Sequence, residues 1–393
     1  EASGNYLLTQ YNYIGSDAKG RISSIWSKAY NLIANTNLIL KNCEENRSVL
    51  PDDHYCLVKG EGLALRAMLH FDLFRLFGPV YGKDSALTSI PYYKEFVLEV
   101  KPSLVGNEFI QEVINDLLQA EELLQHDPII EYGPQGDRLD NFKSDRNLRL
   151  NYYAVQALLA RVYMYRGDKV KALEYAKKVI TIQKKWFPWV DPMTIAASSE
   201  NPDRMFSSEL LFALQNLNRS SIFTSLFDGD NLKLTALLAP REDVVNEVFE
   251  NEKQDYRLIS GFASSSVELG GVNYKVFNKY HGKDSLLSQV IPMIRVSEMY
   301  MIAAEAEPKV ADGLVYFNEL RNNRGLESIP DRWMSFMLDE EWCREFYGEG
   351  QLFFFYKRKM KTSVQSAYDR YGMTSVNLKN YVLPIPDGEL QYN

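Results

Sequence analysis

Cysteine, histidine, surplus basic charge and long apolar runs are all scarce in this chain, and each scarcity removes a class of function. The three cysteines, Cys43, Cys56 and Cys343, lack metal-ligand spacing, and an odd count cannot close a disulfide framework, so the redox compartment stays open. The four histidines, His54, His70, His126 and His281, are scattered without an HExxH pair, so each reads as structural or exposed and no metal or cofactor is expected. There is no GxSxG elbow and no phosphate loop, since Gly60-Glu61-Gly62 falls inside a helical pattern. No run approaches the roughly eighteen apolar residues of a membrane span. Lys+Arg 44 against Asp+Glu 52 leaves a net charge of −8, which disfavours nucleic acid as a partner. The only basic cluster, Lys357-Arg358-Lys359-Met360-Lys361, reads as a solvated helix end, where the dipole favours cations.

What is present is a globular composition, with 46% hydrophobic and 24% charged residues. A chain of 393 residues can bury roughly three quarters of its unfolded surface in one to three domains. Aromatic content of 13%, including 25 Tyr, supplies a core and also suits a surface that binds through flat, amphipathic rings.

The stretch Asn151 to Ile180 carries the most information. Tyr153, Ala157, Leu158, Ala160, Arg161 and Tyr165 recur at helical steps, and the small alanines permit close helix approach. Gly167 ends that helix, Asp168 can cap the next, and Val170, Leu173, Ala176, Val179 and Ile180 form a matching stripe. The span is near the roughly 34 residues of a tetratricopeptide-like hairpin, a unit that builds scaffolds for recognition more than active sites.

Further helices are expected over Ile22 to about Leu40, from Pro51-Asp52-Asp53 to Gly78-Pro79, and from about Ser103 to Gln125. In the first of these Asn35 and Asn37 interrupt the apolar face. After Lys185 periodicity is lost through WFPWVDP and a Ser/Asn/Pro-rich stretch to Ser208, with strand-like composition at Glu209 to Gln215 and Tyr274 to Tyr280. Helical pattern returns at Pro292, continues through Leu314, Phe317, Leu320 and Arg321, and resumes from about Phe336 to Met360. The tail Tyr381-Val382-Leu383-Pro384-Ile385-Pro386 cannot be helical, because its prolines remove donors.

Several motifs in this order resemble the SusD/RagB family of Bacteroidetes nutrient-binding lipoproteins. They are Trp26, Tyr30, Ile33 and Asn35; Gly60-Glu61 with Ala64-Leu65-Arg66-Ala67 and Phe77-Gly78; Leu159-Ala160-Arg161 with Gly167-Asp168; and Ile294-Arg295-Val296-Ser297-Glu298 with Ala303-Ala304-Glu305. Asn318-Glu319-Leu320-Arg321 with Arg324-Gly325, then Glu341, Arg344-Glu345-Phe346 and Gly348-Glu349-Gly350, and finally Leu383-Pro384-Ile385-Pro386, complete the set over about nine tenths of the chain. The resemblance implies an all-α dominated fold, a tetratricopeptide-like α-α superhelix with an irregular loop-rich segment and a few short strands. It implies a single SusD-like domain over 1–393, its scaffold at about 21–185 and 292–360 and its ligand-side segment at about 186–291. It also implies non-catalytic capture of a glycan or oligosaccharide at the cell surface, a SusC-like TonB-dependent transporter as partner, and an outer-membrane lipid anchor. The lipobox cysteine that would carry that anchor is not within these residues.

A sugar needs ring faces for its C–H side and Asn, Asp or Arg for its hydroxyls, with weak net binding of about 10 μM to 1 mM. Tyr11, Tyr13, Asp17 and Arg21 offer that mixture, against the plainer reading of a polar loop capped by Asp17 or Ser16. Asn218, Arg219, Phe223 and Phe227 offer it again, against ordinary loop packing. Trp186 and Trp189 read as plugs at the hairpin's open end, and Trp26 as core. Glu341, Glu345 and Glu349, spaced by four beside Arg344, read as surface and buried ion pairs. A peptide or glycopeptide ligand, a structural lid for the transporter, and a glycoside hydrolase stand as alternatives, the last because its deciding carboxylate distance is spatial.

Overall fold

The computed structural model describes residues 4–196, 202–232, 237–269, 271–282, 289–366 and 372–390. Residues 197–201 of the Ser/Asn/Pro-rich stretch lie outside the described residues. The scaffold helices are α1 (Ser16–Glu45), α2 (Asp52–Phe77), α3 (Gly106–Leu123), α4 (Tyr152–Arg166), α5 (Lys169–Trp186), α6 (Val296–Ala306), α7 (Val310–Asn322), α8 (Asp331–Glu345) and α9 (Leu352–Arg358). From α1 to α8 each packs on the next, so the chain builds an α-superhelix whose sixth helix sits directly on the fifth although 109 residues separate them in sequence, 187–295.

The α4–α5 hairpin forms as its sequence demands. The Asn151 side chain accepts from the Ala154 N–H, Gly167 takes φ +88 at the turn, and the Asp168 side chain accepts from the Lys171 N–H. Ala157 and Ala160 are fully buried. The α5 stripe is shifted from the one read in sequence: Ala172, Tyr175, Ala176, Val179 and Gln183 are buried, whereas Val170 is 77% exposed. Two residues at about 100° per residue carry Val170 round from Ala172 to the opposite face.

Three other expectations are corrected. No helix starts at Pro292: Val290–Arg295 is a strand paired antiparallel with Leu210–Gln215, and the helix begins at Val296. Val290, Pro292 and Ile294 are buried in alternation with Ile291 and Met293, the period of two that belongs to a strand. The helix from Phe336 to Met360 is two helices, because Gly348 at φ +72 and Gly350 at φ +73 reverse the chain between α8 and α9. A Cβ on Gly348 would collide with the Phe277 ring. The basic cluster is not a solvated end throughout. Lys357 is fully buried, its Nζ donating to the carbonyls of Arg75 at 2.9 Å and Gly78 at 2.6 Å, and burial pushes its pKa down to about 7. A cation does meet a helix C-terminus here, but the helix is α2.

Residues 187–295 leave the superhelix and lie on it. The expected strands appear as Leu210–Gln215 and as Val272–Phe277 in a hairpin with Phe262–Leu269, accompanied by short helices Arg219–Leu226, Glu242–Val248 and Tyr256–Gly261 that the sequence did not announce. What fastens this layer is charge. Arg324 of the α7–α8 turn binds Glu209 at 2.6 Å and Glu345 at 2.8 Å, all three side chains fully buried. Glu345 also receives Arg257 at 2.9 Å, and Arg295. Glu341 receives Arg257, Arg321 and Arg344; Glu349 receives Arg295 and Lys279. The ion-pair reading of Glu341, Glu345 and Glu349 therefore holds, with all three side chains buried. No helix of the described residues is long and apolar enough to cross a membrane.

Removing one partner from such a cluster strands charge in a dry interior. Glu345→Ala is expected to lower unfolding free energy by about 3–5 kcal/mol, read from guanidinium titration. A loss below about 1 kcal/mol would mean the cluster does not hold the layer.

Candidate ligand-binding site

Helix α1 buries Ile22, Trp26, Ile33, Asn37 and Leu40 and turns Ser27, Tyr30, Asn31 and Ala34 toward its neighbour, the extended segment 91–100. Between them lies a groove of about 370 Å³. Its floor is Tyr30 and Tyr93, edge to face with centroids 5.6 Å apart, and Tyr30 is further braced by Trp26 at 4.8 Å. Its polar groups are Ser27, Asn31, Glu95, Glu99 and Glu389, and its outer wall carries Val97, Leu98 and Val100.

A segment without its own secondary structure must be held by side chains. Arg66 of α2 grips Asp116 of α3 through two bonds of 2.7 and 2.6 Å and gives its remaining nitrogen to Asn37 Oδ1 at 3.0 Å and the Lys94 carbonyl at 2.7 Å. Asn37 in turn donates to the carbonyls of Tyr93 at 3.0 Å and Glu95 at 3.2 Å. Tyr92 donates to Asp116 at 2.6 Å. His70, fully buried, has Nδ1 2.9 Å from the Arg66 carbonyl and Nε2 3.0 Å from the Tyr93 N–H. The carbonyl can only accept and the amide can only donate, so His70 is neutral with its proton on Nδ1. Burial pushes its pKa down to about 3. The groove's backbone is thus preorganised by a polar network beneath it.

A second cavity, of about 310 Å³, is lined by Leu8, Thr9, Tyr11, Tyr13, Leu76, Phe353 and Leu383. Here the structure brings together Tyr11 and Tyr13 of the residues expected to contact ligand. Tyr11 packs edge-on against Tyr381 at 5.6 Å, and Tyr13 donates to the Asn380 carbonyl at 2.8 Å. Asp17 and Arg21 are exposed and paired with each other at 3.1 Å along α1, where Gly15 holds the cap position without a side-chain bond. The C-terminal tail joins the two hollows, giving Leu383 to one and Glu389 to the other.

The second group of expected residues is corrected in part. Arg219 is 2% exposed, donates to the Val290 carbonyl at 2.8 Å and is pushed down to about 10 by burial; Phe223 is 6% exposed between Phe227 and His281. These two fasten the Arg219–Leu226 helix to the strand Val290–Arg295 and its surroundings. Asn218 stays exposed at that helix's start, and Phe227 is half-buried against Phe277 at 5.6 Å. Trp26 is core, while Trp186 and Trp189 are partly buried against it, Trp189 lying 4.7 Å from Tyr300. Among the described residues no group of three or more His, Cys, Asp or Glu could hold a metal. Glu340, raised to about 7 by burial and a hydrogen bond to Glu250, belongs with Arg344 beneath the irregular layer and lines neither hollow.

Stacked hairpins carrying an irregular layer define a tetratricopeptide-type superhelical protein. Two family descriptions match this chain, "Starch-binding associating with outer membrane" over residues 3–164 and "SusD family" over residues 262–393. The SusD-like protein P2 of Formosa agariphila is 26% identical over 183 residues, which is 46% of this chain; the match spans only about a third, 31%, of that relative's length. A SusD superfamily protein from Bacteroides thetaiotaomicron superposes with a TM-score of 0.76 at 22% identity, covering 94% of this chain and 83% of that one. Surface glycan-binding protein A of the same organism, solved with laminarihexaose, does so with a TM-score of 0.67 at 18% identity, covering 94% and 83%. This chain belongs to the SusD/RagB family.

The neutral His70 generates a pH prediction. Its folded pKa lies below the unfolded 6.5, so the unfolded chain binds the extra proton and stability falls as pH drops from about 6.5 toward about 3. The slope from this residue is at most about 1.4 kcal/mol per pH unit. His70→Gln is expected to flatten that acid limb in urea midpoints measured from pH 7 to pH 4.5, and to speed amide exchange at Tyr93. An unchanged limb would show that His70 takes up its proton as readily in the folded protein as in the unfolded chain.

Proposed function

We propose that this protein captures a neutral oligosaccharide at the cell surface, without turning it over, and passes it to a SusC-like TonB-dependent transporter to which it is held at the outer membrane by a lipid anchor. The observation that carries this reading is the Tyr30–Tyr93 groove: ring faces, an amide, a hydroxyl and carboxylates converge on a hollow large enough for sugar rings, over a backbone that is already fixed. Preorganisation matters for such ligands because the net gain per hydroxyl is small once water has been replaced. The family description, and the laminarihexaose held by one structural relative, support a glycan over other ligands.

Charge narrows the glycan. Among the described residues the groove is lined by Glu95, Glu99 and Glu389 and by no Lys, Arg or His, so uronic or sulfated sugars would meet like charge. Uncharged sugars would find acceptors for their hydroxyls.

Affinity electrophoresis and calorimetry with neutral and anionic oligosaccharides test this, with product analysis in parallel. Retardation by a neutral glycan, none by a uronate polymer, and no new reducing ends are expected. Tyr93→Ala and Asn31→Ala should each weaken binding about tenfold, near 1.4 kcal/mol, with the melting temperature unchanged for Asn31→Ala and lowered but still cooperative for Tyr93→Ala, whose ring packs on Tyr30. If Tyr13→Ala abolishes binding while Tyr93→Ala does not, the N-terminal cavity is the site; released product would make the protein a hydrolase.

A further inference from the structure

Three hydrogen-bond donors on three different helices, Arg75 Nε, Tyr165 Oη and Trp342 Nε1, have no partner among the described residues, although their residues are only 3%, 6% and 6% exposed. All three residues line one cavity of about 40 Å³ where α2, α4, α6, α8 and α9 meet, and it shares no lining residue with the groove. Buried donors are almost always satisfied, and three orphans around one hollow point to a guest that accepts.

The wall's charge agrees. Arg75, Arg161 and Arg358 face the cavity, and Glu298 is the one carboxylate among its lining residues. Glu298 is already engaged by Arg161 through bonds of 2.7 and 2.6 Å. Arg358 reaches away to Glu305 with two bonds of 2.8 Å, and Arg75 to Asp72 and to Gln351 Oε1 at 3.0 Å. Arg75 cannot swing its Nε to another partner, because its guanidinium lies 3.8 Å from the Phe354 ring centroid and 4.8 Å from that of Phe71. Burial with neighbouring Arg161 also depresses the Arg75 pKa, a sign that its charge is undercompensated.

A hollow of this size has room for about three waters or for one small ion with a water beside it. Waters would bring two hydrogens each, and the side-chain acceptors on the wall, Glu298 and Gln351, have only the lone pairs left over from their bonds to arginines to receive them. An acceptor-only guest matches a wall of donors. We propose that the cavity binds a small monovalent inorganic anion of the chloride class, which bridges Arg75, Tyr165 and Trp342 and so locks α9 and α8 onto α2 and α4. The site is structural and independent of ligand capture in the groove.

The probe is halide itself, with the intact chain. Melting temperature is measured in sodium chloride, sodium bromide and sodium gluconate at equal ionic strength, gluconate being too large to enter, and crystals grown in bromide are examined at the bromine absorption edge. Chloride and bromide are expected to raise the melting temperature by a few degrees in a saturable way. One bromine peak is expected within hydrogen-bond reach of all three donors. Tyr165→Phe should abolish the halide dependence while melting in gluconate as the parent does or higher, since it deletes only an orphan donor. Trp342→Phe, which also leaves a cavity beside Phe346 and Phe355, should melt lower in gluconate and likewise lose the halide dependence. Coincident melting curves, or bromine peaks at the surface only, an adventitious ion only, would overturn the proposal and leave water as the occupant.

Discussion

The buried cluster of guanidinium–carboxylate bonds centred on Glu345 fixes where the irregular layer sits on the helical scaffold. A layer of about a hundred residues with little periodic hydrophobicity cannot register itself on a helical scaffold through ridges and grooves. Here Glu345 of α8 receives Arg257, Arg295 and Arg324, and each comes from a different place: the irregular layer, the strand that leads back into the scaffold, and the α7–α8 turn. Arg324 then reaches Glu209 at the layer's first strand. Desolvating these groups consumes most of what their attraction returns, so the cluster's contribution is geometric: one arrangement pairs Glu345 with all three of its arginines, and a displaced layer would leave several of these charges unpaired.

The same device recurs at the groove. There Arg66 does for segment 91–95 what Arg324 does for the irregular layer, joining helix to helix through Asp116 and then spending its last nitrogen on a loop carbonyl. Asn37 and His70 add three more bonds to the same segment. Loop backbone pinned in this way approaches the rigidity of a strand without needing a neighbour to pair with.

Local chemistry explains what was legible beforehand. Gly167 and Asp168 act within one turn, and the alanines of α4 within one helix face, so the hairpin and the superhelix followed from short-range pattern. Arg66, Asn37 and the Glu341–Glu345–Glu349 spacing were visible as residues, yet their partners stand tens to hundreds of positions away, as with Arg324 and Glu209, 115 apart. Tyr93, Glu95 and Glu99 carried no signal at all, because an extended segment lined by acids looks like any solvated loop until the network beneath it is known. Phe223 misled for the opposite reason: a ring in a Ser- and Asn-rich stretch looks exposed, whereas the short helix Arg219–Leu226 turns it inward against His281. Helix α9 was lost to Gly348 and Gly350, whose positive φ values interrupt a run that composition alone would continue.

The tail shows how far side chains can organise a segment that has given up its own donors. Pro384 and Pro386 leave it few amides, so its position rests on the Leu383 N–H to the Leu76 carbonyl at 2.9 Å, the Tyr381 hydroxyl to the Lys361 carbonyl at 2.8 Å, and incoming bonds from Tyr13 to Asn380 and Lys19 to Asp387. Both of those incoming bonds start in the N-terminal arm or the first turn of α1. Arm and tail therefore stabilise each other, and between them they wall the Tyr11–Tyr13 cavity and one end of the Tyr30–Tyr93 groove. The tail thus supplies a wall residue to each hollow, Leu383 to one and Glu389 to the other, and its fixed position sets the shape of both.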